Sequence, residues 1–144
     1  MKIIIEDLAP GEEETCIIRV KSVSENVSRA LNLLKSPDAV TVFSEDGTSY
    51  LDTHEIYYIE SVDLKTFVYA KTAVYQSRLR LYELEELLVS GDFLRISKQT
   101  IVNVPKIREI SPAGGGRFTA VLDNGEKVII ARSFVPALKR RFGI

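Results

Sequence analysis

The sequence predicts a mainly β fold with short helices, α+β overall, and three observations carry that prediction. Most of the chain after residue 38 is a series of short runs rich in β-branched and aromatic residues, each closed by a turn signal. Apolar residues at helical spacing occur in only three short stretches. The size, 144 residues with 45% hydrophobic and 27% charged side chains, suits one globular core.

Residues 2–6 (KIIIE) and 15–20 (TCIIRV) read as strands either side of Ala9-Pro10-Gly11 and three glutamates. Ser22 followed by Glu25 fits a capping box, in which each side chain satisfies a free N–H at a helix start. Val23, Val27, Ala30, Leu31 and Leu34 then give that helix one apolar face, and Ser36-Pro37 ends it. Residues 1–38 therefore read as a β-β-α segment and residues 39–144 as the main domain. Half a domain with an apolar helix face must cover it, by docking within the chain or by pairing with a copy; the expectation here is a dimerisation element.

From residue 39 the strand candidates are 39–43, 48–51, 56–60, 66–70 and 73–77, with a turn at Glu45-Asp46-Gly47. One helix interrupts, with Leu81, Leu84, Leu87 and Leu88 on one face and Gly91 placed to end it. Residues 93–96 return to strand, and 101–104 and 107–110 bracket Pro105. Residues 111–116, with three glycines, read as a loop. Residues 118–122 and 127–131 form a hairpin in which Asn124-Gly125 suits a type I′ turn. A last short helix carries Phe134, Leu138 and Phe142 four apart.

Several classes of function are disfavoured. No apolar run approaches the ~20 residues of a membrane helix, and the start lacks the layout of a signal peptide, so the chain reads as cytoplasmic. The single cysteine, Cys16, forbids an internal disulfide or a multi-cysteine metal site, and its apolar neighbours predict a buried, inert thiol. The single histidine, His54, falls in a polar turn. Glu12-Glu13-Glu14 and Glu83-Glu85-Glu86 are adjacent rather than convergent, so they read as solvated faces and not as metal or acid/base groups. Gly114-Gly115-Gly116-Arg117 lacks the Gly-Lys-Ser/Thr ending and following helix of a phosphate loop. No catalytic residue, metal site or cofactor is expected, and the chain does not read as an enzyme.

Charge is more informative. Net charge is −1 overall, but residues 1–55 hold 5 basic and 11 acidic side chains, whereas residues 93–144 hold 10 and 3. An acidic front and a basic back suggest different partners. Lys65 and Lys71 flank one predicted strand, Lys98 lies in the break Ser97-Lys98-Gln99-Thr100, and Arg132 opens the junction before the last helix. Cations at strand ends can line one edge and reach phosphates or base edges, with Thr66, Ser97, Gln99 and Ser133 as hydrogen-bonding neighbours.

These residues fall within a wider resemblance. Glu55-Ile56-Tyr57-Tyr58-Ile59-Glu60-Ser61, Lys65-Thr66-Phe67-Val68-Tyr69 and Leu84-Glu85-Glu86-Leu87 resemble the LytTR (LytR/AlgR-type) DNA-binding domain family. The strongest match is Phe93-Leu94-Arg95-Ile96-Ser97-Lys98-Gln99-Thr100-Ile101-Val102-Asn103, similar to the family's F-x-R-I-[HS]-[KR]-S-x-[IV]-V-N core. Lys106-Ile107, Asn124-Gly125-Glu126 and Ile130-Ala131-Arg132 follow in the family's order. Gln99 departs from the usual serine, and Gly114-Gly115-Gly116 from a shorter turn.

The resemblance implies packed antiparallel β-sheets whose loops enter successive major grooves of double-stranded DNA. It implies a bacterial, sequence-specific transcriptional regulator that reads direct repeats in promoters. Base reading is expected at Lys65-Thr66, at Lys98 after Arg95-Ile96-Ser97 and beside Gln99, and at Arg132-Ser133. Lys71 and Lys139 are expected to touch phosphate. The residues before the match are too few for a receiver domain, so a stand-alone homodimeric regulator is expected. The alternative is an interaction module that binds and inhibits a partner LytTR regulator.

Overall fold

Alternating burial in short β-branched runs needs a partner layer, and two layers supply it. The computed structural model of the chain describes residues 1–34, 39–89 and 91–144. Among them the order is α1 (Glu25–Leu34), β1 (Ala39–Ser44), β2 (Gly47–Asp52), β3 (Tyr58–Val62), β4 (Lys65–Tyr69), β5 (Val74–Ser77), α2 (Leu81–Leu87), β6 (Phe93–Arg95), β7 (Thr100–Asn103), β8 (Ile107–Gly114), β9 (Arg117–Leu122), β10 (Lys127–Ile130) and α3 (Val135–Phe142). Short 3-10 turns fill Thr53–Glu55, Val104–Lys106 and Arg132–Phe134. The expected mainly β, antiparallel fold is what forms.

A seven-stranded sheet has the order β2-β1-β5-β4-β3-β7-β6, and a three-stranded sheet the order β10-β9-β8. Every pairing is antiparallel. Each sheet contributes to a separate apolar core. Val40, Val42, Ile59, Val68 and Ile101 pack with Leu81, Leu84 and Leu88 of the α2 region. Tyr57, Ile96 and Val102 pack with Ala120, Leu122, Val128 and Ile130 of the small sheet and with Val135 and Leu138 of α3. The segment from Ile96 to Val102 therefore joins both cores, which holds the loop between β6 and β7 from two sides.

Several local expectations are corrected. Residues 2–6 and 15–20 form no strands. They are the arms of a turn in which Glu12 N–H bonds Ala9 O at 3.1 Å, but the arms share no backbone ladder. Two strands with no third strand or helix to cover them do not bury enough to hold a ladder. Cys16, expected to be buried, is accordingly exposed. The cap of α1 is Ser24 rather than Ser22: Ser24 Oγ accepts Val27 N–H at 3.3 Å. The predicted stop at Ser36-Pro37 lies outside the described residues.

Helix α1 docks on β1 of its own chain, burying Val27 and Ser28. Arg29 Nε reaches Glu83 Oε2 at 2.6 Å, tying α1 to α2. This removes the premise that the stripe lacks a partner, although Leu34 stays exposed. Helix α2 ends at Leu87, with Leu88 as its C-cap, before Gly91. The left-handed pair of a two-residue hairpin is not Asn124-Gly125 but Asp63-Leu64, with φ of 50° and 66° between paired Val62 and Lys65. At the β9–β10 turn only Gly125 is left-handed, and its N–H closes onto Leu122 O. Strand β8 runs on to Gly114; as an edge strand it tolerates Pro112, which needs no ladder donor.

Candidate nucleic-acid interface

Three loops from distant parts of the chain meet at one edge of the molecule. The β3–β4 turn brings Lys65 there. The β6–β7 loop lies beside it, because Ser61 N–H donates to Gln99 O at 2.8 Å. The start of the 3-10 turn at Arg132 lies on the other side, because Ala131 N–H donates to Ile96 O at 2.8 Å. Lys65, Lys98, Gln99, Arg132 and Ser133 are all exposed on this edge, and Ser97 is half-buried.

The β6–β7 loop is built around one side chain. Arg95 Nε donates to Ser97 O at 2.7 Å, its Nη2 donates to Lys98 O, and its Nη1 meets Glu85 Oε1 at 3.2 Å. A guanidinium presents its donors in a planar fork, so one residue ties two successive carbonyls of a four-residue loop. Ser97 Oγ accepts Gln99 N–H at 3.2 Å, and Ser97 N–H returns to Thr100 O. Lys98 is thereby aimed outward. Arg95 spends its donors inside the protein, so it positions the loop.

Asn103, the last residue of the motif, is also inward. Its Nδ2 donates to Ile56 O at 2.7 Å and to Thr53 O at 3.3 Å, tying β7 to the turn before β3. Thr66 is buried in the sheet opposite Ser77, so of Lys65-Thr66 only the lysine faces solvent. Lys71 sits at the far end of β4, where its carbonyl accepts Asn124 Nδ2 at 3.4 Å, away from the three loops. Lys139 is nearer: its Nζ lies 5.9 Å from the ring centroid of Phe118, the residue after Arg117.

One contributor escapes a reading of the sequence. The β8–β9 turn carries Gly114, Gly115 and Gly116, all left-handed, and delivers Arg117 to this edge. A Cβ at Gly116 would stand 3.1 Å from Cγ and Cδ of Arg132, so the arginine lies across a glycine. Arg117 and Lys127 line a hollow of about 450 Å³ with Tyr58, Glu60, Ser97, Gln99 and Thr100. Burial, and then Glu126, raises the Tyr58 phenol well above its usual range, so it stays protonated beside its stacked neighbour Tyr69. The available signal in the sequence was a cation directly after the glycines, in the most basic third of the chain.

His54 is exposed and sits 2.8 Å from Asp52, whose carboxyl the His54 backbone N–H holds below its usual range. No helix among the described residues is long and apolar enough to cross a membrane.

Residues 46–143 match the model of the LytTr DNA-binding domain. The chain is 26% identical over 142 residues to the sensory transduction protein LytT of Enterococcus faecalis, covering 95% of this chain and 59% of that protein. It is 28% identical over 83 residues to the transcriptional regulatory protein YpdB of Escherichia coli K12, covering 58% and 34%. The solved LytTr DNA-binding domain of a methyl-accepting/DNA response regulator from Bacillus cereus superposes with a TM-score of 0.70 at 31% identity, over 74% of this chain and 98% of that one. The chain spans less than two thirds of the length of the LytT proteins it matches.

Proposed function

The chain belongs to the LytTR DNA-binding domain family, and from that premise we propose that it is a transcriptional regulator that reads direct repeats in promoter DNA as a homodimer. The observation that supports this reading is the meeting of Lys65, Lys98 and Arg132 on one edge from three separate loops. Arginine and lysine can reach the O6 and N7 acceptors of guanine in a major groove, each good pair giving about 1–3 kcal/mol of discrimination. Gln99 and Ser133 supply neutral hydrogen-bonding groups beside them. Arg117, Lys127 and Lys139 flank this set and suit phosphate, which fixes register without reading sequence.

The two roles leave different marks on binding. Arg132→Ala or Lys98→Ala lowers affinity for the specific duplex and flattens the preference over scrambled DNA. Lys139→Ala weakens both duplexes alike and lowers the log K against log salt slope by about 0.9. Titrations at several salt concentrations, on the protein's own promoter region and on a scrambled duplex, test this. Equal weakening of both duplexes by Arg132→Ala withdraws its base-reading role. No binding to the promoter by the wild type favours the other reading, an interaction module that holds a partner regulator off DNA.

A further inference from the structure

Residues 1–22 contribute nothing to either core. Every one of them except Ile18 is exposed, including Ile3 at 79% and Ile5 at 92%. A water-exposed run so rich in isoleucine calls for a cover. Its internal geometry says what shape the cover meets. Ala9-Pro10-Gly11-Glu12 is a closed turn with Gly11 at φ 87°, and Ala9 N–H is held by the Glu12 carboxylate at 3.0 Å. Lys2, Ile4, Glu6, Asp7 and Leu8 of one arm line a single hollow with Glu12, Glu13, Thr15, Ile17 and Arg19 of the other. Away from the turn every second residue of each arm lines it, the side-chain period of an extended segment.

Two faces follow from the period. The face toward the hollow mixes charges with Ile4, Ile17 and Leu8. Ile3, Ile5, Cys16, Ile18 and Val20 do not line the hollow and form the opposite face, whose acid, Glu14, stands near the turn. Charge is also sorted along the arms. Lys2, Arg19 and Lys21 stand at the open end, while Glu6, Asp7, Glu12, Glu13 and Glu14 cluster toward the turn.

We propose that this apolar face is covered by the same face of a second copy of the chain, packed antiparallel about a two-fold axis. In that arrangement the acidic turn of each copy lies against the basic open end of the other, while Ile3, Ile5, Ile18 and Val20 meet in the middle. A two-fold pair must use one self-complementary patch, and a segment that is positive at one end, negative at the other and apolar between is such a patch. A parallel pairing would set ten carboxylates together at one end. The proposal rests on the homodimeric part of the function above and names the surface that serves it. Packing the two faces together also gives each pair of arms the covering layer that it lacks alone.

Sedimentation of the full chain tests it. The wild type is expected to run as a dimer at micromolar concentration. Ile5→Lys is expected to run as a monomer with an unchanged unfolding midpoint, since Ile5 touches neither core. Two charge-reversed variants sharpen the test. Lys2→Glu/Arg19→Glu/Lys21→Glu has two acidic ends, and Glu12→Lys/Glu13→Lys/Glu14→Lys has a basic turn and a basic open end. Each alone is expected to be monomeric, and an equimolar mixture is expected to dimerise. A monomeric wild type, a dimeric Ile5→Lys or a mixture that stays monomeric overturns the proposal. Promoter binding by the monomeric variants, measured in parallel with Arg132→Ala, shows separately whether the reading edge works. The reading edge can thus fail while the pairing holds, and the reverse.

Discussion

Arg95 is the residue whose replacement separates a group that shapes the reading edge from one that touches DNA. Arg95→Met keeps the length of the stem and removes all the donors. The bonds lost are those to the carbonyls of Ser97 and Lys98, together with the pair to Glu85. A hydrogen bond to a charged group contributes about 1.5–3 kcal/mol. Water reaches these carbonyls once the guanidinium is gone, so about 1 kcal/mol each is the appropriate share. The Glu85 partner is 45% exposed, and such a pair contributes close to nothing. The loop therefore loses about 2 kcal/mol of its ordering, which binding must restore, and affinity for the specific duplex falls about 30-fold. The salt slope stays at the wild-type value, because no phosphate contact has gone. Titration of the promoter duplex between low and moderate salt measures both quantities. A slope lowered by about 0.9 refutes the positioning role and makes Arg95 a phosphate contact; an unchanged affinity refutes the loop argument itself.

Three further outcomes follow from the same geometry. Gly116→Ala pushes Arg132 aside and reduces the preference for specific over scrambled DNA about fivefold, on the order of 1 kcal/mol. Gly114→Ala, which meets the same left-handed strain but no neighbour within 4 Å, leaves the preference intact; equal losses in the two variants refute the contact. Asn103→Ala strands the Ile56 carbonyl, so urea unfolding shows a loss of about 1–3 kcal/mol, and no loss refutes the tie. Burial pushes the Glu83 carboxyl up, but the Arg80 backbone N–H and the bonds from neighbouring side chains, Arg29 among them, outweigh it and hold its pKa below the usual 4.5. The folded state thus binds fewer protons at Glu83 than the unfolded chain. Its contribution is full above about pH 4.5 and is lost as pH falls through the lowered value, so Glu83→Gln flattens the acid limb of urea stability; an identical pH profile counts against it.

The sheets were legible because burial in them is local and periodic: β1, β4, β7 and β9 each lie within a residue or two of the apolar run that predicts them. Turn chemistry was less so. Asn124-Gly125 has the composition of a two-residue hairpin, yet Asp63-Leu64 adopts that geometry, since pairing on both sides of the turn overrides the preference of the residues in it. The N-terminal runs have strand composition but no third partner in the chain, and composition cannot report that. At the proposed reading edge, Lys65, Lys98 and Arg132 stood out because they lie at or beyond strand ends. Thr66 was less accessible than its position suggested, although its alternation with Val68 marks the covered face. Arg95 looks like a recognition residue in the motif, and nothing in the sequence reports that its partners are the carbonyls of Ser97 and Lys98 and the Glu85 carboxylate. Arg117 was hidden behind three glycines.

Residues 1–22 belong to neither core, so the proposed pairing surface and the proposed reading edge draw on different parts of the chain. Under the proposed pairing, two reading edges would act as one bivalent ligand. The second edge meets its half-site at a local concentration fixed by the joint rather than by the solution, and gains of 10²–10⁴ in apparent affinity are ordinary for linked pairs. Each edge can then be individually weak. Under the proposed pairing, occupancy of a double site would track the amount of paired protein, so the onset of binding would be set by the self-association constant of the arms.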